Sequence, residues 1–346
     1  MIFFHTFVVE EKKQKKHSNL KFMKKSHLIT LFFWILTATN LTNCYCQDLK
    51  LRLQTRMGYL WNDQDHGKAS CELLSVAIDG SITPEFTFSA FQHLNRFDRA
   101  TKDNPLAATD WLYLSWRRKN IQLSAGKQML EYGGQEYDAA PIDLYGTGVY
   151  YNNFEMAFAY SFNASYWIGQ HKLTAQVAEI PIPNEHNDVA VSLSWRGKMN
   201  WYEAKHSVNA IGQGSLRPVL SNVVLGNIFH FRRANFYLDL INRWNKASVR
   251  LFQDFSIVAC ANIQATPWMN VRLKYNYDYN EHIADRLCPT GTHQSQYLGA
   301  LEFFPLKDDR IRLHISCKHN QHTYISTGFT WRIYAPKISL KKSKDA

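Results

Sequence analysis

The stretch RIRLHISCK (residues 310–318) alternates strictly between two kinds of side chain. The odd-numbered positions are apolar: Ile311, Leu313, Ile315 and Cys317. The even-numbered positions are charged or polar: Arg310, Arg312, His314, Ser316 and Lys318. Successive side chains of a β-strand point to opposite faces, so such a strand meets two different media. A strand that is apolar outside and charged inside is typical of a membrane β-barrel with a wet interior.

The same two-residue rhythm recurs along most of the chain. It predicts sixteen strands: 48–60, 72–82, 85–96, 110–118, 120–129, 155–166, 171–180, 188–196, 201–211, 222–232, 235–244, 248–265, 269–280, 296–305, 310–318 and 323–334. Bacterial single-chain barrels have an even number of antiparallel strands. The pattern therefore predicts an all-β fold, a transmembrane antiparallel β-barrel of about sixteen strands over residues 47–334.

Short and long connections between these strands alternate. Short ones such as RGKMN (196–200) and ATPWM (265–269) separate longer ones: 62–70, 95–109, 130–154, 213–220 and 281–294. Barrels of this class have short periplasmic turns and longer external loops. We therefore expect a periplasmic N-terminus and a third external loop formed by the longest insertion, LEYGGQEYDAAPIDLYGTGVYYNNF (130–154).

The N-terminal region has the pattern of a targeting segment. Met23 is followed by two lysines and by an apolar run over 28–36, too short to span a bilayer. We expect residues 1–22 to be a mis-assigned upstream start and residues 23–46 a secretory signal peptide. A lipoprotein alternative, with Cys44 as the acylated residue, is less favoured because Asn43 stands where a small residue is expected.

Most of the apparent basic charge lies outside the predicted barrel. Residues 1–46 contain seven Lys and two Glu, which leaves 33 basic and 27 acidic residues and a net charge of +6. Residues 335–346, a predicted basic periplasmic tail, contribute four Lys and one Asp. The charge left on the barrel is too small to indicate a nucleic-acid partner.

Aromatic and cysteine usage agree with this class. Aromatic residues make up 14% of the chain, and tryptophans fall near predicted strand ends, where indole favours a membrane interface: Trp61, Trp111, Trp195, Trp201, Trp244, Trp268 and Trp331. The remaining cysteines are too widely spaced for a zinc site, and we expect free thiols rather than disulfides: Cys71, Cys260, Cys288 and Cys317.

Several motifs carry a resemblance to a known family. The third-loop motif GGQEYDAAPIDLY (133–145) follows GKQ (126–128), and further matching segments are QDF (253–255), TPWMNV (266–271), EFFPLKDDRIRLH (302–314) and GFTWRI (328–333). In this order and spacing they resemble general outer-membrane porins grouped with the phosphate-selective porin O and P family. The resemblance covers essentially all of 47–334. It implies a homotrimer in the outer membrane of a Gram-negative bacterium, with the third loop folded inward to narrow a pore for small hydrophilic solutes and ions.

The charges suggest how such a pore is lined. Inward positions of predicted strands 1, 13, 15 and 16 are basic: Lys50, Arg52, Arg272, Lys274, Arg310, Arg312 and Arg332. The third loop carries Glu131, Glu136, Asp138 and Asp143 but no Lys or Arg. Opposed fixed charges across a narrow aqueous pore would set its ion preference. An acidic third loop also argues against strong phosphate selectivity.

Two other interpretations of the inward charges stay open at this stage. The charges could pair across strands and fill the lumen, which would leave a non-conducting scaffold or adhesin whose external loops carry the function. A secreted carbohydrate-binding β-sandwich is less favoured, because it does not explain the apolar faces of strands such as 310–318. Catalytic signals are weak, for GQGS (212–215) lacks the glycine that completes a nucleophile elbow. We therefore predict no enzyme activity, no cofactor and no metal site.

Overall fold

The structure, a computed structural model, describes residues 48–64, 67–95, 108–148, 158–180, 187–212, 219–283, 288–335 and 338–339. The expected signal peptide therefore lies outside the described residues. So does most of the second predicted loop, from residue 96 to residue 107.

Sixteen long strands form the described part of the chain: β1 (Asp48–Asn62), β2 (Lys68–Ser81), β3 (Phe86–His93), β4 (Thr109–Arg118), β5 (Ile121–Met129), β6 (Phe158–Ile168), β7 (His171–Ile180), β8 (Asp188–Met199), β9 (Tyr202–Ile211), β10 (Leu220–His230), β11 (Ala234–Trp244), β12 (Asp254–Thr266), β13 (Met269–Asn280), β14 (Thr292–Phe303), β15 (Ile311–His319) and β16 (Thr323–Tyr334). Each pairs antiparallel with its neighbour in the chain. The predicted all-β fold is confirmed.

Pairing between the first and last long strands closes the sheet into a barrel. β1 and β16 are hydrogen-bonded in register from Arg52 opposite Tyr334 to Asn62 opposite Tyr324. A two-residue strand, β17 (Ile338–Ser339), also pairs with the start of β1, so part of the predicted tail is in the sheet. Closure removes the free edges that an open sheet would expose.

The two faces of the barrel differ as the rhythm predicts. In β15, Leu313 and Ile315 are exposed on the outer surface, whereas Arg312 and His314 are buried on the inner one. Large apolar side chains are likewise exposed on strands all round the barrel, for example Leu114, Val191, Leu240 and Phe329. The residues buried on the inside are mainly polar, and serine, asparagine and glutamine are frequent among them.

Only short helical segments occur among the described residues. α1 (Gln135–Asp138) and a 3₁₀ turn (Pro141–Asp143) both lie in the connection between β5 and β6. No helix in the described ranges is long and apolar enough to cross a membrane.

Three details of the predicted strands are wrong. β12 begins at Asp254 rather than 248, because Asn245 Oδ1 accepts the backbone N–H of Ser248 in a turn (2.9 Å) and Phe252 has a φ of 64°. β2 and β14 begin about four residues earlier than predicted, at Lys68 and Thr292. The added residues of β14, THQS (292–295), are all polar, and a register shift opposite residues 71–73 interrupts the alternation of β2.

Trp111 also departs from the prediction that it belongs to an interfacial girdle. Its indole N–H donates to Ser89 Oγ (2.8 Å) and its ring stacks on Phe91, 4.5 Å between centroids. The side chain therefore belongs to the inner face. By contrast, Trp61, Trp201, Trp268 and Trp331 are exposed on strand ends or turns.

Candidate functional site

The segment 130–148, which leaves β5, lies inside the barrel against the inner faces of the strands. It starts along β7 to β9: the backbone N–H of Glu131 donates to Gln176 (2.8 Å), and Ser207 donates to the carbonyl of Tyr132 (2.5 Å). Gly133 and Gly134 have φ values of 75° and 84°. A Cβ on Gly133 would lie 2.6 Å from Ser207 Oγ, so glycine is needed for this close approach.

The first charged anchor of the loop is on β8 and β9. Glu131 and Asp138 both contact the guanidinium of Arg196; Glu131 Oε2 lies 2.8 Å from Nη2. Lys205 adds a second cation at 3.3 Å from Asp138. Both acidic side chains are almost fully buried, so these cations offset the cost of removing the carboxylates from water.

The second anchor holds α1. The backbone N–H groups of Gln135 and Glu136 donate to the two carboxylate oxygens of Asp239 on β11, at 2.9 and 3.0 Å. The side chain of Glu136 forms a fully buried ion pair with Lys274 of β13. Lys274 also donates to the carbonyl of Gly146. One lysine therefore binds both the helix and the segment that returns from it.

The third anchor is a group of arginines on β1, β13, β15 and β16. The Asp143 carboxylate accepts from Arg312 (2.8 Å) and Arg332 (2.5 Å). The other contacts are to loop backbone: Arg272 donates to the carbonyl of Asp143, and Arg56 donates to the carbonyl of Leu144 (2.7 Å). These guanidinium groups therefore recognise the path of the loop as well as its charge.

Tyr145 sits at the centre of these arginines. Its hydroxyl donates to Glu302 on β14 (2.8 Å), and Arg56 and Arg272 lie 5.5 and 5.6 Å from its ring centroid. Glu302 is also 3.3 Å from Arg312. Cation–π contacts and the buried carboxylate thus hold several like charges close together.

The loop acids and the wall cations meet by direct contact instead of facing one another across open water. Burial acts to raise the pKa of Asp143, but Arg312 and Arg332 overcome this and hold that pKa below its ordinary value. Burial likewise opposes ionisation of Glu131, and Arg196 and Lys172 lower its pKa. Both groups are therefore carboxylates at neutral pH.

The structure distributes the predicted basic residues over two regions. Arg272, Lys274, Arg312 and Arg332 contact the third loop. Lys50 and Arg52 lie nearer the end of the barrel at which β1 begins, where Lys50 is exposed and Arg52 is 3.9 Å from Asp79. Arg310 belongs to neither of these two regions, because it precedes β15 in a turn and pairs with Asp308 at 2.8 Å. Arg310 is thus not part of the inner wall.

Sequence reasoning missed three basic residues that hold the loop, Arg56, Arg196 and Lys205, and also the acidic Asp239. Arg56 lies four residues after Arg52 on the same, inward face of β1, so the alternation of the sequence could have identified it as an inward residue. Arg196 and Lys205 are opposite one another on β8 and β9, and 196–200 had been interpreted as a turn. Nothing in the local sequence links them to the third loop.

Cysteines and histidines form no further reactive site in the part of the chain that the structure describes. Cys71, Cys260 and Cys317 are free thiols, and the buried Cys288 thiol donates to the backbone carbonyl of Thr292 (3.5 Å). Within the described ranges no group of three or more His, Cys, Asp or Glu side chains could hold a metal ion.

The fold and this site define a class of protein. A closed barrel whose outer surface is apolar and whose inner surface is polar can span a membrane, since its strands pair their backbone groups with one another and leave no free edge. Sixteen tilted strands with a loop inside the lumen make a porin-type barrel. Barrels of this type belong to the outer membrane of Gram-negative bacteria, and the band of exposed apolar side chains places this chain there.

Comparison with solved structures gives the same fold. The trimer form of OmpT, an outer membrane protein of Vibrio cholerae, superposes with a TM-score of 0.60 at 10% identity, over 82% of this chain and 99% of that one. An anion-selective porin from Comamonas acidovorans gives 0.59 at 9% identity, over 82% and 98%. A mutant of the Rh. blastica porin gives 0.56 at 11% identity, over 82% and 100%.

Sequence comparisons add no closer assignment. No family model matches the chain, and no curated protein matches it. The porin-type barrel is therefore supported by structure, whereas the resemblance to the phosphate-selective porin O and P family stays a prediction.

Proposed function

We propose that this protein is a porin through which small hydrophilic solutes and ions diffuse passively. The observation that carries the proposal is the position of the third loop. The ion pairs and hydrogen bonds that anchor the described segment 130–148 lie on β1 and on strands between β7 and β16, and none of those described for this segment lies on β2 to β6. A loop held to one side of a sixteen-stranded barrel leaves the other side for an aqueous path.

The wall that bears none of these anchors suits hydrophilic solutes. Its buried inward side chains are mostly hydroxyls and amides, including Ser75, Ser89, Ser115, Ser124 and Asn163. A wall packed with hydroxyls and amides keeps this side of the lumen polar, which suits a water-filled path. We propose that the protein itself catalyses no reaction.

Stepwise conductance in a planar bilayer tests the proposal directly. Folded protein is recognised by a gel mobility that changes on heating. When such protein is added to the bilayer, the conductance should rise in discrete steps. Neutralising Arg272 and Arg312 should change the ratio of cation to anion permeability, because both contact the loop at the narrow region. Arg310→Gln is the matched control, since that side chain is exposed in a turn. Folded barrels that never conduct would exclude the porin function.

A non-conducting scaffold is the second candidate, and the paired charges favour it. Every predicted loop acid contacts a wall cation, as expected if charges fill the lumen. This candidate predicts no conductance in the wild type and none after Asp143→Asn. It also predicts that shortening the external loop at 281–294 abolishes adhesion.

We further propose a homotrimer, as the resemblance implies. One of the structural neighbours is described as a trimer form. Light scattering of the detergent-solubilised, unheated protein should give three copies per particle, and a monomeric mass would contradict this.

A further inference from the structure

The inner wall near the periplasmic end of β4, β6 and β7 presents a tryptophan with two cations beside its ring. The guanidinium carbon of Arg117 lies 4.7 Å from the ring centroid of Trp167, and the ammonium of Lys172 lies 5.7 Å from it. Trp167 and Lys172 are opposite one another across β6 and β7. All three share the inward parity of the buried polar side chains Ser115, Ser165 and Thr174.

Neither cation has a carboxylate partner among the described residues within ion-pair distance. Lys172 is opposite Arg196 in the β7–β8 register, but Arg196 is the residue that forms the ion pairs with Glu131 and Asp138. Arg117 is exposed, so its N–H groups face the lumen water. The indole N–H of Trp167 is buried without an acceptor in the described part of the chain. The cluster thus carries positive charge, and Arg117 has hydrogen-bond donors available to a solute.

We propose that Trp167, Arg117 and Lys172 form a binding subsite for small organic carboxylates, a proposal that rests on the porin function above. A guanidinium that lies over an indole ring is held in one orientation and presents its N–H edge, which matches the two oxygens of a carboxylate. Lys172 supplies a second positive charge. The indole adds apolar surface that a hydrocarbon body can cover and that an inorganic ion cannot use.

The position of this subsite favours a role in binding solutes on their way through the pore over a role in stabilising the barrel. β4 and β6 belong to the wall on which the described part of the third loop has no ion pair or hydrogen bond, and β7 adjoins that wall, so the cluster borders the proposed aqueous path. Arg56, Arg312 and Arg332 of the third anchor are already bound to loop carbonyls and acids. Arg117 and Lys172 are therefore the cations most accessible to a solute on this side.

Block of single channels by benzoate tests the subsite. Benzoate added to KCl on the periplasmic side should reduce the open-channel current of the wild type in a saturable way. Trp167→Leu should weaken this block by about threefold, the loss of one exposed cation–π and stacking contact. Arg117→Gln should weaken it by about tenfold, since a charge-assisted carboxylate contact is lost.

Adjacent residues that point away from the lumen provide matched controls. Trp116 bonds to Glu85 (3.1 Å), and Arg118 is a highly exposed partner of the same Glu85. Trp116→Leu and Arg118→Gln should leave the benzoate block unchanged. Equal block in Trp167→Leu and Trp116→Leu would overturn the proposal.

Two further measurements separate this proposal from the porin function. Inorganic phosphate serves as a comparison blocker; a loss of phosphate block in Trp167→Leu as large as that of benzoate block would overturn the assignment to organic carboxylates. If the wild type does not conduct in KCl alone, the porin function fails. Benzoate binding to the detergent-solubilised barrel is then measured by calorimetry. Loss of that binding in Arg117→Gln but not Arg118→Gln would support the subsite, and no binding would overturn it.

Discussion

Gly58 and Gly328 face one another across the seam where β1 meets β16. A Cβ on Gly328 would lie 2.2 Å from the carbonyl oxygen of Met57, and a Cβ on Gly58 would lie 2.4 Å from that of Thr327. Both obstacles are backbone atoms, which cannot rotate away as a side chain can. The pair therefore allows the close approach of backbones at which the barrel closes.

Gly328→Ala should destabilise the barrel by about 1–3 kcal/mol, the usual cost of overpacking a tight site. Urea unfolding of the protein in detergent, followed by the shift in gel mobility on heating, measures the effect. Gly299→Ala on β14 is the matched control, because a Cβ there has nothing within 4 Å. Equal midpoints for the two variants would mean that the seam tolerates a side chain.

Asp143→Asn should release the loop from the β15–β16 side of the wall. The substitution removes the charge shared by Arg312 and Arg332 and leaves both guanidinium groups facing the lumen. We expect higher open-channel noise and a permeability ratio shifted toward anions, with the barrel still folded. Asp308→Asn, in an exposed turn, should leave both quantities as in the wild type.

The docked loop should resist acid. The pKa of Asp143 is held below the ordinary value of 3.8, with Arg312 and Arg332 outweighing burial. A lowered pKa in the folded state gives stability that is present above the unfolded value and lost as the pH falls through the folded one. Channel noise should therefore stay constant from neutral pH to about pH 4 and rise only at lower pH. A rise already at pH 5 would contradict the ion pairing of Asp143.

The buried pair of Glu136 and Lys274 should show strong coupling. Removing one partner leaves an unpaired charge in the wall, so Glu136→Gln or Lys274→Met alone should cost about 3–5 kcal/mol. The double variant should recover a large part of that loss. The urea midpoints of the wild type, the two single variants and the double variant give the coupling energy by a double-mutant cycle. Additive losses would show that the two side chains do not stabilise one another.

The period-two pattern predicted the barrel because it depends only on which face meets lipid. In β15 the alternation of Arg312, Leu313, His314 and Ile315 is visible without any knowledge of the fold. Strand ends were less predictable where a local turn, such as that at Asn245, competes with the alternation.

The partners of the charged residues could not be predicted in the same way. Asp143 and Arg332 are 189 positions apart in the sequence, and only closure of the barrel brings them together. Opposed charges on a loop and a wall indicate attraction, but they do not say whether a water-filled gap separates them. In the structure the groups touch, so the expected transverse field across open water is largely neutralised at these anchors.

The third anchor of the loop has a consequence for assembly. Arg56 belongs to the first strand of the barrel and Arg332 to the last, yet both bind the same short stretch, Asp143–Leu144. That binding site does not exist in any partly formed sheet, since its two halves come from opposite ends of the chain. Formation of this third anchor therefore requires that the terminal strands have met, and the anchor then links β1 to β16 through the loop. An unclosed intermediate lacks this third anchor even where the first and second anchors on β8, β9, β11 and β13 have formed, which distinguishes immature barrels from finished ones.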